Sequence, residues 1–340
     1  MERPAVISRA TVSDVARLAG VSGKTVSRVV SGDGSVSAET RQRVLDAAQR
    51  LRFRPNHLAR DLRRGGVSTT VAFVMGDLRN PFYSRVAAGI ERELALHGLT
   101  LLIAATGDDK TQEAAVVTTL LERRVRSLLI VPIADDQSYL EGERQLGTQI
   151  VCIDRPARHL SADCVVFANN EGAGQAVRSL LEHGHRKIGF VGSSSDLYTD
   201  RERLAGYRQA LNEAGVGRVQ QWERTDGADT DSAARAVHEL LALDDAPTAI
   251  LASNNRVSTG VLMAMRDSSR RPAFIGFDDF DLAAFLGVSV IAHEPETMGR
   301  EAVRIAMARE GDAAGPLIEM MLPTTLIRRG SGEIPPPTEA

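Results

Sequence analysis

Lys24, Thr25, Ser27 and Arg28 place four hydrogen-bonding side chains within five residues, two of them cationic. Val26, Val29 and Val30 interrupt them at helical spacing, so the polar groups share one side of a short helix. Such a set suits a polyanion with readable edges, as a guanidinium fork matches paired acceptors and a hydroxyl matches a phosphate oxygen. The flanking residues describe a scaffold able to hold that helix. Thr11-Val-Ser-Asp14 reads as a capping box ahead of a helix with Val12, Val15, Ala16 and Ala19 on its apolar face. Gly20 takes the turn and Ser22 caps the second helix, residues 23–30. This is a helix-turn-helix pattern, with small Ala16 letting the two helices cross closely. Ser37 caps a third helix running to about Gln49, with Val44, Leu45 and Ala48 inward. Arg54-Pro55 ends this head, His57 to Arg63 predicts one short helix, and Gly65-Gly66 stops it.

Charge divides the same way. Residues 1–64 hold 13 Lys and Arg against 6 Asp and Glu, a net of +7, and the remainder holds 28 against 38, a net of −10. A basic head on an acidic body is what phosphate binding requires of one domain only. The 340 residues, 43% hydrophobic, suffice for two or three domains. The start lacks an apolar leader and no run reaches the ~18 apolar residues of a membrane span, so a cytoplasmic location is expected. Cys152 and Cys164 lie in apolar strand-like runs without CxxC spacing and read as buried thiols.

Beyond Val67 the texture alternates. Apolar runs at 71–75, 101–105, 128–133, 150–153, 188–191, 249–252 and 274–277 are short enough for buried parallel strands. Amphipathic stretches at 83–97, 112–123, 172–183, 201–214, 232–243, 257–266 and 297–309 separate them. The pattern predicts parallel sheets covered by helices, and its length exceeds one ordinary sheet, so two doubly wound lobes are expected. The proline-rich end reads as a disordered tail over 332–340, with no leucine heptad.

The residues taken together resemble the lactose-repressor (LacI/GalR) family of bacterial transcription regulators. The head carries Thr11-Val-Ser-Asp-Val-Ala-Arg-Leu-Ala-Gly-Val-Ser22, Thr25-Val-Ser-Arg-Val29, Val36-Ser-Ala-Glu-Thr-Arg41 and Arg54-Pro-Asn-His-Leu-Ala-Arg-Asp-Leu62. In the body, Asp77-Leu-Arg-Asn-Pro-Phe82, Asp154-Arg-Pro156, Gly184-His-Arg-Lys-Ile188, Arg203-Leu-Ala-Gly-Tyr207 and Gly276-Phe-Asp-Asp279 continue it. Coverage runs from about residue 11 to 331. The resemblance implies an all-α helix-turn-helix head (1–54), a hinge helix and linker (55–66), and an α/β effector domain of two periplasmic-binding-protein-like lobes with parallel sheets. The lobe boundaries expected are 67–167 with 296–322, and 168–295 with 323–331, with crossovers near Phe167, Pro295 and Leu322.

It also implies roles. Gly23, Lys24 and Arg28 fall at the base-reading positions; Arg28 suits a guanine edge, Lys24 a guanine or a phosphate, and Gly23 contributes by absence. Ser22, Thr25 and Ser27 suit phosphates, with Thr11 at the head of the first helix. Asn56, His57, Ala59 and Leu62 belong to a hinge that forms when two copies meet in the minor groove, with Leu62 as the wedge. The expected partners are a near-palindromic operator in double-stranded DNA, a second copy of the chain and a small, carbohydrate-like effector. Its contacts carry over to Asp77, Asn80, Phe82, Asp154, Phe167, Arg203, Asn254 and Asp278. Asn80 has the alternative role of capping the next helix, and Phe167 that of a core residue. No metal, cofactor or membrane enters this reading.

Three stretches depart from the family pattern: Asn254-Asn255-Arg256, the short connection 268–272, and the approach 286–293 to the second crossover. Arg256, if it points inward, favours an acidic or phosphorylated ligand; on the other reading it is a solvated helix-start residue. An enzyme is the first rival, but GxSxG, P-loop and HExxH patterns are missing, and His183-Gly-His185 alone is a weak metal signal. A ligand-binding receptor without DNA function is the second, and leaves the basic head unexplained.

Overall fold

Val15, Ala16, Ala19, Val26, Val29, Val44 and Ala47 meet at the centre of three short helices. A computed structural model describes residues 10–31, 35–53, 68–217, 220–266, 268–310 and 315–337. The expected hinge, with Asn56, His57, Ala59 and Leu62, lies outside the described residues. Helices α1 (Val12–Ala19), α2 (Gly23–Val30) and α3 (Ala38–Arg50) form the head. The capping box is made: Asp14 N–H donates to Thr11 Oγ1 at 3.3 Å and Thr11 N–H to Asp14 Oδ2 at 2.9 Å. Gly20 turns the chain at φ 65°, a left-handed conformation that glycine adopts without a Cβ clash. Leu45, expected inward, is 47% exposed, and Ala47 takes the inner position. The inner row of α3 runs Val44, Ala47, Ala48 and Leu51, and Leu45 lies about 100° away from Val44 around the helix.

The chain divides after Ser68, and the second unit holds two six-stranded sheets. The first contains β1 (Thr70–Met75), β2 (Thr100–Ala105), β3 (Ser127–Ile130), β4 (Gln149–Ile153), β5 (Asp163–Phe167) and β11 (Glu319–Leu322), ordered β11-β5-β4-β3-β1-β2 and parallel throughout. The second contains β6 (Ile188–Val191), β7 (Glu223–Arg224), β8 (Ala249–Ala252), β9 (Ala273–Phe277), β10 (Ser289–Ala292) and β12 (Thr325–Ile327), ordered β12-β10-β9-β8-β6-β7. Only β12 of this sheet runs antiparallel. The chain passes between the sheets after Phe167, between Ala292 and Pro295, and between Leu322 and Thr325.

Five strands lie outside the seven apolar runs. β5 and β10 open on polar Asp163 and Ser289, β7 has two residues, and β11 and β12 are edge strands with half-exposed faces. Helices α4 (Pro81–Leu96), α5 (Glu113–Glu122), α6 (Glu141–Gln145), α7 (Asn169–Glu182), α8 (Tyr198–Glu213), α9 (Thr230–Ala242), α10 (Asn255–Arg266) and α11 (Pro295–Arg309) cover the sheets. Several begin two or three residues before the apolar periodicity does, because their first turns carry polar or proline residues.

Each lobe has a very close helix pair. A β-carbon at Gly89 of α4 would lie 2.0 Å from Glu296 O of α11, and one at Gly206 of α8 would lie 2.0 Å from Asn170 O of α7. Residues 332–337, expected to be disordered, pack onto the second lobe instead. Glu333 accepts from Ser289 Oγ at 2.8 Å and from Gly330 N at 2.7 Å, and Ile334 O meets His185 Nε2 at 2.7 Å. Proline-rich composition is compatible with order where the chain finds hydrogen-bond partners, here Ser289 at the start of β10 and His185 ahead of β6.

Candidate functional site

In the head, Ser22 caps α2 by accepting from Thr25 N at 3.1 Å. With that cap and the Val26–Val29 anchor in place, Lys24, Ser27 and Arg28 sit on one exposed face, three and four residues apart. Thr25 is half-buried, with its hydroxyl 2.9 Å from that of Ser22. Gly23 packs close to α1, where a β-carbon would stand 3.7 Å from Val12 Cγ1. The face is rigidly supported from beneath and offers two cations and a hydroxyl outward.

In the second unit, a cavity of about 300 Å³ opens between the lobes at the C-terminal ends of the parallel strands, where ligands of such sheets bind. Asp154 directly follows β4 and Asp278 directly follows β9, and both stand in the left-handed region, at φ 71° and 69°. Asn254 and Ser193 lie two residues beyond β8 and β6. Of the eight expected contacts, Asn80, Phe82, Asp154, Arg203, Asn254 and Asp278 line the cavity, and Asp77 and Phe167 do not. Asn80 also caps α4, accepting from Phe82 N at 3.1 Å. Phe167 is buried, stacked on His293 with ring centroids 4.1 Å apart. Asp77 is taken up by two guanidiniums, and the side chain of Arg79 first of all holds its carboxyl down at about 2.

Arg203 and Asp278 form the buried centre of the cleft. Arg203 Nε donates to Asn169 Oδ1 at 2.8 Å, Nη1 donates to Ser253 O, and its guanidinium lies 3.7 Å above the Phe277 ring. Nη2 stands 3.7 Å from Asp278 Oδ1, which also accepts from His293 Nε2 at 2.8 Å. Asp278 Oδ2 accepts from Asn255 N at 3.2 Å. Burial pushes the Asp278 carboxyl upward, but Arg203, His293 and Asn255 together outweigh it and hold it below the usual carboxylate range. In the other lobe, Asp154 Oδ2 accepts from Arg155 Nη2 at 2.7 Å.

Arg256 points inward and crosses the cleft. Its Nη2 donates to Asp77 Oδ2 at 2.6 Å, and Nη1 stands 3.6 Å from Asp108 Oδ2. Its charge is therefore paired with carboxylates of the opposite lobe. Asn255 Nδ2 adds a second crossing to Asn80 Oδ1 at 3.0 Å. Four Asp and four Lys or Arg line the cavity, so its walls are close to neutral.

Sequence reasoning missed Tyr83, Asp108, Lys110, Arg155 and Ser193 among the lining residues. Their signal was position, since Asp108, Lys110, Arg155 and Ser193 all follow the ends of parallel strands. The two histidines flanking Gly184 serve the fold: His183 Nδ1 lies 2.8 Å from Ser179 O, and both ring nitrogens of buried His185 are bonded, to Thr248 Oγ1 and Ile334 O. The cysteines are free and buried, facing each other in register on β4 and β5, and burial pushes their thiols up to about 12 and about 11.

The sequence profile of periplasmic binding proteins and the sugar binding domain of the LacI family matches residues 68–275, and that of bacterial regulatory proteins of the lacI family matches residues 11–56. The chain belongs to the LacI family. The HTH-type transcriptional regulator GalS of Salmonella typhimurium is 30% identical over 331 residues, covering 94% of this chain and 96% of that one. A solved complex of the transcriptional regulator CelR with cellobiose is 28% identical, covers 95% of this chain and all of that one, and superposes with a TM-score of 0.71. The lac repressor dimer bound to operator, 24% identical over 96% of this chain and 99% of that one, shares the fold with a TM-score of 0.84. As a LacI-family member the protein is a DNA-binding transcription regulator rather than an enzyme, and the reading as a receptor without DNA function is set aside by the head. Among the described residues no helix is long and apolar enough to cross a membrane.

Proposed function

We propose that this protein is a cytoplasmic repressor that binds a near-palindromic operator as a homodimer, and that a hydroxyl-rich ligand of monosaccharide size in the cleft sets its hold on DNA. One observation carries the ligand reading: carboxylates, guanidiniums and amides converge on a small cavity beside the Phe82 ring. Donors and acceptors held by mutual pairing suit the alternating hydroxyls of a sugar, and a neutral wall disfavours a strongly charged one. CelR, bound to cellobiose, is a precedent for a sugar in this fold. Dimerisation is supported by Leu282, Phe285 and Leu286, exposed at 60%, 86% and 49% in one turn after β9, an apolar patch that a second copy would cover.

On the DNA side, Arg28 reads a base, Lys24 reaches a base or a phosphate, Ser22, Thr25 and Ser27 hold phosphates, and Asn56, His57, Ala59 and Leu62 engage the minor groove. In vitro selection of random duplexes by the full chain is expected to return a two-fold site, and gel shifts on that site to respond to one sugar of a monosaccharide panel. Arg28→Ala is expected to cost about 1–3 kcal/mol on the selected site and little on random DNA. Equal losses on both DNAs would mean that Arg28 contacts only phosphate.

A further inference from the structure

His293 lies in the stretch where the sequence departs from its family, between β10 and α11, and it does not line the cavity. Its side chain is only 3% exposed. One edge, through Nε2, holds Asp278 Oδ1 at 2.8 Å. One face stacks on Phe167 at an interplanar angle of 15°, and the ring of Phe82 stands edge-on, 5.6 Å away. Nδ1 is buried and has no hydrogen-bond partner among the described residues. Nε2 is therefore the ring's link to Asp278, and Nδ1 is left bare among aromatic rings.

These contacts close a circuit. His293 holds Asp278, Asp278 faces Arg203, and Arg203 Nε donates to Asn169 Oδ1. Asn169 Nδ2 donates to Phe167 O at 3.2 Å, and the Phe167 ring returns to His293. The circuit includes two charges that face the ligand and residues at two of the three crossovers.

We propose that His293 is a positioning residue with two separable parts: its N–H fixes the Asp278 carboxylate toward Arg203 and the ligand, and its ring fastens that carboxylate to the Phe167 crossover. This deepens the ligand reading above and rests on it. A ligand that pulls on Asp278 or Arg203 then acts through His293 on the crossover segments without touching them.

Two variants of the full chain separate the parts. His293→Gln keeps an N–H for Asp278 and removes the ring; His293→Phe keeps a ring against Phe167 and removes the donor. Hydrogen exchange read by mass spectrometry follows the Asn255 amide, whose acceptor is Asp278 Oδ2, and the Ala168 amide, bonded to Leu322 O across a crossover at 2.9 Å. Exchange at Asn255 is expected to quicken about tenfold in His293→Phe, and exchange at Ala168 to a similar degree in His293→Gln, with β8 amides unchanged in both. Identical exchange in all three proteins overturns the proposal. So does acceleration that includes β8, because His293 would then serve only the fold.

Titration with D-ribose, D-glucose, D-galactose and cellobiose adds the functional arm, in which any sugar held by the wild type is bound about tenfold more weakly by His293→Phe. Arg203→Gln judges the parent reading separately. Sugar binding that survives it refutes the cleft assignment, and the exchange at Asn255 and Ala168 still decides the role of His293.

Discussion

Asp154 and Asp278 occupy equivalent places in the two lobes. Each follows the third strand of its sheet order, each has φ near 70°, and each donates its backbone N–H to the neighbouring strand, to Val165 O and Ile291 O. Their carboxylates are wired differently. Asp154 pairs with Arg155, the next residue in the chain. Asp278 is held by Arg203 from α8, Asn255 from the start of α10 and His293 from beyond β10. The fold repeats the position and leaves the partner free to vary. One lobe therefore presents a locally neutralised carboxylate, and the other presents one whose orientation depends on three distant segments.

The largest expected effect tests this difference directly. Asp278→Ala strips the acceptor from two buried hydrogen bonds and the counter-ion from buried Arg203, and should cost about 3–5 kcal/mol in urea unfolding of the body. Asp154→Ala frees a single guanidinium beside Asp108, and about 1–3 kcal/mol is expected. Equal losses would erase the distinction between local and tertiary wiring. Next come Gly89→Ala and Gly206→Ala, where the added methyl meets a backbone oxygen of the partner helix in either lobe. Both should lower stability by about 1–3 kcal/mol, and by similar amounts, since this feature is repeated.

Acid titration sharpens the electrostatic side. The carboxyls of Asp77 and Asp278 are depressed on folding, Asp77 to about 2. The unfolded chain therefore binds more protons between their folded values and about 3.9, so stability rises with pH there and is lost as pH falls. Stability measured from pH 2 to 5 should flatten in Asp77→Asn and in Asp278→Asn. The smallest effect is Arg256→Gln. Its cross-lobe pair, 29% and 10% exposed, should contribute about 0–1 kcal/mol to unfolding. A larger loss would show that the crossing to Asp77 holds the lobes together.

The head is almost fully legible in the sequence. Its caps lie three residues from what they cap, and its inner face follows from helical period, with Leu45 as the exception. The two-lobed body is legible in outline from alternating apolar runs. The cleft is legible in part. Arg203 and Asp278 emerge through motifs, but Asp77 and Phe167 stand behind the wall they were expected to form. Asp108, Lys110 and Ser193 have no motif of their own and become visible only as neighbours at strand ends, Tyr83 emerges only on the first turn of α4, and Arg155 lies unassigned inside the Asp154-Arg-Pro156 motif. The tail misleads because composition reports the preference of a free chain, while residues 332–337 find hydrogen bonds at Ser289 and His185.

Short-range chemistry written into the chain dictates where helices start, which faces are apolar, where positive charge gathers, and that strands and helices alternate. Which polar side chains meet is a matter for the folded arrangement. Arg256 finds Asp77 across 179 positions of chain, Arg203 finds Asn169 across 34, and His293 finds Asp278 across 15 by way of an intervening strand. No local pattern specifies such pairs, because their partners are chosen by the order of strands in two sheets and by the three crossings between them.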